Sequence, residues 1–319
     1  MFWRRKKAEP PLVYCYGKLP ATGDFVRLNA TTEAQAAFDT WLQSGVNFAR
    51  ETMGEAFEPA FQKGVGLFIY RPDGEPPGRG LVGVWAASRD SAGRRYPMVV
   101  GAAYDYAELV AVGPALPIAT WGFLRSAYEL LATAARLQPD EFVARVAQIQ
   151  PPPLDDAASA SAAYRQWLDN HGARALWETG FGSVEARFWV VHAVAASVEP
   201  FRGQELPAAS LGIRFPLGSG DAYAAAVWLE LATRLGRWQR TLLSAFWAPQ
   251  GSMVLHMGPP HVATFRALLL PGGEADHITD LCAPAGVDPA TARQRLGPEL
   301  GAAVDATDVS LAAFLQKLG

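Results

Sequence analysis

The sequence predicts an α/β layered fold. Strand-like and helix-like segments alternate along it, half of its 319 residues are apolar, and 10 tryptophans and 16 phenylalanines supply a large core. That length allows one large domain or two ordinary ones.

The elements follow in order. "PLVYCYG" is rich in β-branched and aromatic residues and stops at Gly17, so it reads as a strand. The loop "GKLPATGDF", Gly17 to Phe25, comes next. Helical spacing then places Ala34, Phe38, Trp41, Leu42, Gly45, Ala49 and Met53 on one stripe. Thr32 and Gln35 suit a capping box at its start. Strands are expected at Val65–Tyr70, Leu81–Ser88 and Tyr96–Tyr104, the first two joined as a hairpin by "RPDGEPPGRG". Helices are expected from about Trp121 to Leu137 and from Pro139 to Ile149.

Three prolines in "QPPPLDDAASASAA" cannot continue a helix, and the small residues after them read as a linker. A boundary is therefore expected near Pro151, dividing 11–150 from 151–319, with the second part either a separate domain or packed as one unit with the first. Beyond it, Phe188–Val198 fits a buried strand or a short helix. "SLGIRFPL" reads as a strand and "AYAAAVWLELATRL" as a helix. "TLLSAFWA" and "GSMVLHMG" read as a strand pair around Pro249–Gly251. "PHVATFRALLL" and "VSLAAFLQKL" read as amphipathic helices.

Composition narrows the function. A net charge of -3 carries no field for nucleic acid, and no basic stripe or RNP-type aromatic pattern is present. Two cysteines far apart, Cys15 and Cys282, suit a reducing cytoplasm better than a disulfide scaffold. The basic tip Arg4–Lys7 is followed by Glu9 and two prolines rather than an apolar segment, so neither a signal peptide nor membrane insertion is expected.

The chemical motifs mostly fail on context. In the opening loop Asp24 stands where a P-loop has its lysine, and a carboxylate there repels phosphate. Gly78, Gly80 and Gly83 spell G-x-G-x-x-G but lead into a strand rather than a helix. Asp221 after Gly218-Ser219-Gly220 is a preferred N-cap and would occupy the helix amides itself. The histidines His171, His192, His256, His261 and His277 share no metal-binding spacing, and no G-x-S-x-G elbow occurs. No cofactor, metal or catalytic set is expected.

One charged constellation stands out, "WAASRDSAGRRYPMVV", Trp85 to Val100. Asp90 and Arg94 could lock this loop while the other arginines present a binding edge. Pro97 biases Tyr96 toward extended backbone at the next strand.

Together these segments resemble a known family. Gly17-Lys18-Leu19-Pro20, Gly23-Asp24-Phe25 and Trp41-Leu42 are similar to the start of the type VI secretion-associated TagF (ImpM) proteins. Ser88, Asp90, Gly93, Arg94, Tyr96 and Pro97 resemble that family's second block, with Tyr96 in place of the usual Phe. The match covers roughly Val13 to Ala103. The resemblance implies a three-layer α/β/α sandwich with a mixed sheet in the N-terminal part, followed by a second α/β region. It implies a cytoplasmic accessory factor rather than an enzyme, regulating the machine after translation with a forkhead-associated scaffold protein.

On this reading Lys18, Asp24, Asp90, Arg94 and Arg95 lock the two loops or contact the partner, and Asp24 is expected near Arg94. Two alternatives are an enzyme for a phosphorylated or acidic substrate, with Asp24 as general base and Arg94 and Arg95 holding the anion, and a structural subunit of the baseplate.

Overall fold

A computed structural model describes residues 11–73, 78–154, 157–218, 221–248, 251–273, 275–283 and 286–319. The basic tip Arg4–Lys7, the turn residues Glu75-Pro76-Pro77, the Ser219-Gly220 pair and Pro249 lie outside them.

Two short strands, β1 (Val13–Lys18) and β2 (Phe25–Leu28), open the chain and form a hairpin. Helix α1 (Glu33–Met53) starts at the capping box read from sequence. The Gln35 amide donates to Thr32 Oγ1 at 3.3 Å, and the Thr32 amide donates to Gln35 Oε1 at 2.8 Å. The short helix α2 (Phe57–Gln62) leads into β3 (Val65–Tyr70), β4 (Arg79–Ala86) and β5 (Met98–Asp105). Four helices follow, α3 (Tyr106–Val112), α4 (Leu116–Ala119), α5 (Trp121–Thr133) and α6 (Pro139–Gln148).

The second half opens on α7 (Ala158–Asn170), α8 (Ala173–Phe181) and α9 (Ala186–Val198). Then come β6 (Gly212–Pro216), α10 (Ala222–Gly236), β7 (Ser244–Trp247) and β8 (Ser252–His256). The chain closes with α11 (Thr264–Leu269), β9 (Ile278–Asp280), α12 (Pro289–Arg295), α13 (Gly297–Asp305) and α14 (Leu311–Gln316).

Several expectations need correction. The "ASASAA" run begins helix α7 instead of a linker. Alanine is the strongest helix former, and buried Tyr164 and Leu168 anchor that helix. Of the two readings left open for Phe188–Val198, the helix is the one formed; the segment is apolar on most sides, so a strand and a buried helix look alike in sequence. The helix from Trp121 ends at Thr133 and continues only as a 3-10 turn to Arg136. Within "PHVATFRALLL" only Thr264–Leu269 is helical.

Among the described residues nine strands form one mixed sheet in the order β2-β1-β5-β4-β3-β7-β8-β6-β9. Every pairing is antiparallel except β6 with β9. Period-2 alternation divides the side chains between its two faces. Val13, Cys15, Ile69, Val82, Val100 and Ala102 pack under α5 and α6 in one core. Tyr14, Phe68, Tyr70, Leu81 and Val99 pack under α1, α2 and α11 in the other. The result is helices, sheet, helices, in three layers.

The two chain halves share this sheet. Strand β3 pairs with β7 across Leu67–Trp247, Phe68–Phe246 and Ile69–Ala245. Trp41 of α1 stacks on Phe246 with centroids 4.8 Å apart, and its indole N–H donates to the His261 carbonyl at 3.2 Å. At Gly45, an added Cβ would lie 2.6 Å from the Phe265 Cβ, so glycine sets how closely α1 and α11 approach. Buried Arg71 reaches the Pro207 carbonyl at 2.6 Å, and its amide donates to Ser244 Oγ at 2.9 Å. Among the described residues no single helix is long and apolar enough to cross a membrane.

Residues 11–150 expressed alone should therefore fail to unfold cooperatively, because the β3 edge and the Trp41 face would be uncovered. Urea titration with fluorescence detection checks this. A sharp transition from a monomeric fragment would contradict it.

Candidate functional site

The two motif blocks fold into one clasp at the ends of β1 and β5. Gly17 begins it, with φ at 149°, where an added Cβ would lie 2.2 Å from the Pro97 carbonyl oxygen. Only glycine lets the second block cross that close to β1. Lys18, the last residue of β1, is buried at 6% exposure, and its Nζ donates to Asp90 Oδ2 at 2.5 Å. Its backbone carbonyl accepts from Ser88 Oγ at 2.6 Å. Leu19 behind it is fully buried.

Asp90 is the hub. Its Oδ1 accepts from the Ala92 amide at 3.0 Å and the Arg94 amide at 2.8 Å, closing its own turn. Its Oδ2 accepts from Lys18 and from Arg94 Nε at 2.6 Å. Gly93 lets the turn close, with φ at 84°. Lys18 holds the Asp90 carboxyl well below the usual carboxylate range. Burial opposes that shift, and the Arg94 amide and guanidinium reinforce it.

Arg94 joins the loops directly. Its guanidinium donates to the Gly23 carbonyl at 2.8 Å, and the Ser91 amide donates to the Thr22 carbonyl at 2.9 Å. The Asp24 carboxylate is not the lock. Asp24 is exposed, its amide donates to Thr22 Oγ1 at 3.2 Å, and its carboxylate makes no ion pair or hydrogen bond among the described residues. Charged residues at strand ends suggested Asp24 as a lock beside Asp90 and Arg94; the fold gives that work to Asp90, which is buried, while Asp24 is exposed.

Arg95 turns the other way, to α2. Its Nε lies 2.8 Å from both Glu58 oxygens, and the terminal nitrogen adds a second prong. This two-pronged pairing lowers the Glu58 carboxyl and raises the Arg95 guanidinium. The Tyr96 hydroxyl bonds Asp39 Oδ1 on α1. Burial raises the Tyr96 phenol, with Asp39 adding to it.

Neither Glu58 nor Asp39 stood out in sequence as part of this site, whereas Phe25 closes the first motif block. Asp39 lies in a helix pattern dominated by its apolar stripe, Glu58 lies beyond that stripe on the short helix α2, and nothing local marks their partners. Phe25 is 40% exposed, stacked on Tyr16 at 5.0 Å and edge-on to Tyr96 at 5.2 Å, with Lys18 Nζ 4.6 Å from its ring centroid. The clasp thus presents Asp24, Phe25, Arg89 and Arg94 to solvent on a rigid base.

The histidines also meet in a way their spacing concealed. Thr264 Oγ1 lies 3.0 Å from His256 Nε2 and 3.1 Å from His277 Nε2, with His261 against His277. Burial pushes His256 down to about 3 and His277 down to about 4, so both stay neutral near pH 7. Among the described residues no group of three or more His, Cys, Asp or Glu side chains could hold a metal ion.

Two predictions follow from the clasp. Lys18→Met alone should lower the urea midpoint more than Lys18→Met with Asp90→Asn, since the single change strands a carboxylate without its amine. An equal or larger loss in the double variant would contradict the pairing. The second concerns pH. A depressed carboxyl contributes stability that is present above its unfolded value, about 3.9, and lost as pH falls toward the lower folded value. The Tm gap between the wild type and Asp90→Asn should hold constant above about pH 5 and shrink below about pH 4. A gap independent of pH would rule this out.

Comparison with known proteins places the geometry. No curated protein matches the chain. A crystal structure of PA0076 from Pseudomonas aeruginosa PAO1 is similar at 18% identity and a TM-score of 0.49, over 86% of this chain and 99% of that one. Residues 14–149 match the family model of the TagF N-terminal domain, type VI secretion system-associated. Both halves of the clasp lie inside that match, so residues 14–149 are similar to the TagF N-terminal domain, a type VI secretion system-associated domain.

Proposed function

We propose that this chain is a cytoplasmic, non-catalytic binding module that regulates the secretion machine after translation by holding one of its protein components. The observation that carries the reading is the clasp itself. A buried Lys18–Asp90 bond and part-buried bonds of Ser88 and Arg94 fix both loops, and the same arrangement leaves Asp24, Phe25, Arg89 and Arg94 displayed. Rigid presentation of an aromatic residue among charged neighbours is the anatomy of a protein contact.

The enzymatic alternative is weaker on geometry. A general base needs a pocket and converging polar groups. Asp24 stands exposed, and Arg95 is committed to Glu58. The family resemblance supplies the partner to try first, the forkhead-associated scaffold protein.

A pull-down from cell extract tests the reading with the intact protein, Phe25→Ala and Arg89→Glu. Each variant should recover at least tenfold less scaffold, the ratio of about 1.4 kcal/mol, with Tm unchanged. Undiminished recovery in both variants would remove this face from consideration. Retention of the chain in sheared, assembled particles would instead favour a structural subunit.

A further inference from the structure

A cavity of about 220 Å³ lies beside the clasp, between β1 and the first half of α1. Its walls include Tyr14, Tyr16 and Phe38, and Asp39 is its acidic group. We propose that this cavity receives an arginine side chain from the partner protein. The inference rests on the binding-module reading above and names the chemistry of its contact.

Three observations point to a cation. Asp39 is half-buried and pairs with no Lys or Arg among the described residues; its donors are the phenols Tyr96 and Tyr16. Burial raises the Asp39 carboxyl above the ordinary range, and those phenols offset it only in part. A carboxylate in that state gains when a cation arrives. Arg27 sits opposite Tyr16 on β2, but it is exposed and forms no ion pair with Asp39.

The aromatic walls add the second element. A guanidinium stacks on aromatic faces while donating to a carboxylate, which an ammonium does less well. The start of α1 does not turn the site toward anions, because the Thr32–Gln35 capping box already occupies its first amides. Size supplies the third element. The volume falls below the 300–1,000 Å³ usual for cofactor and small-molecule pockets and suits a single side chain. The cavity shares Tyr16 with the ring cluster under Phe25, so a chain bound across Phe25 can lower one residue into it.

The test uses the full chain and small probes. Saturation-transfer NMR and calorimetry would follow n-butylguanidinium, n-butylammonium and neutral n-butanol. The proteins are the wild type, Asp39→Asn, Ala36→Phe and Glu51→Gln. Asp39→Asn removes the charge; Ala36→Phe fills the cavity from an exposed lining position and leaves Asp39 in place. Butylguanidinium should bind saturably, at least tenfold more weakly to both of those variants, and unchanged to Glu51→Gln, which removes an exposed carboxylate at the far end of α1.

Absent saturable binding, equal binding of butanol, or affinity unchanged in both Asp39→Asn and Ala36→Phe would overturn the site. Tighter binding of butylammonium would overturn the arginine assignment. No secretion component enters this experiment. Its failure therefore leaves the binding-module reading intact, and failure of the pull-down leaves the cavity's chemistry intact.

Discussion

One buried carboxylate organises the end of this molecule where the two motif blocks meet. Asp90 takes four donors, two from its own turn, one from Arg94 and one from Lys18, seventy-two positions earlier in the chain. A charge at 2% exposure is costly unless every lone pair is answered. Here the answers come from both motif blocks, so neither loop can take its shape without the other. The Gly17–Pro97 crossing makes the same demand sterically. Chemistry and packing therefore select the same two segments.

What the clasp rests on is a sheet built by the whole chain. The family match stops at residue 149, yet β3 is completed by β7, and the core over Phe38 and Trp41 is completed by Phe246 and Phe265. Helix α1 links the two levels. Its apolar stripe seats the sheet, while Asp39 on its flank reaches Tyr96 and the cavity beside the clasp. A change in the packing of α1 would thus be felt at the display face.

Much of the fold was legible in the sequence because local rules and burial agreed there. The Thr32–Gln35 box, the α1 stripe, the 65–86 hairpin and the Asp221 cap are examples. Local rules failed where tertiary context decides. Strand β2 is only four residues long and exists because β1 offers it an edge. The alanine-rich run after Pro153 looked like linker by composition, yet two buried side chains make it a helix. At the site, Lys18, Asp90 and Arg94 were visible as charges at strand ends. That the inward-facing aspartate is Asp90 and not Asp24 was not visible, since pairing across seventy residues leaves no local pattern. Glu58, Asp39 and the histidine group around Thr264 were hidden for the same reason.

The most direct measurement is a carboxyl-carbon NMR titration of Asp90 in the folded protein. A clasp held by Lys18 and Arg94 predicts that this resonance stays at its ionised position down through about pH 3.5, the mean for aspartates in folded proteins. A midpoint at about 3.9, the value of a free side chain, would mean that the carboxylate holds nothing and that the two blocks meet for some other reason.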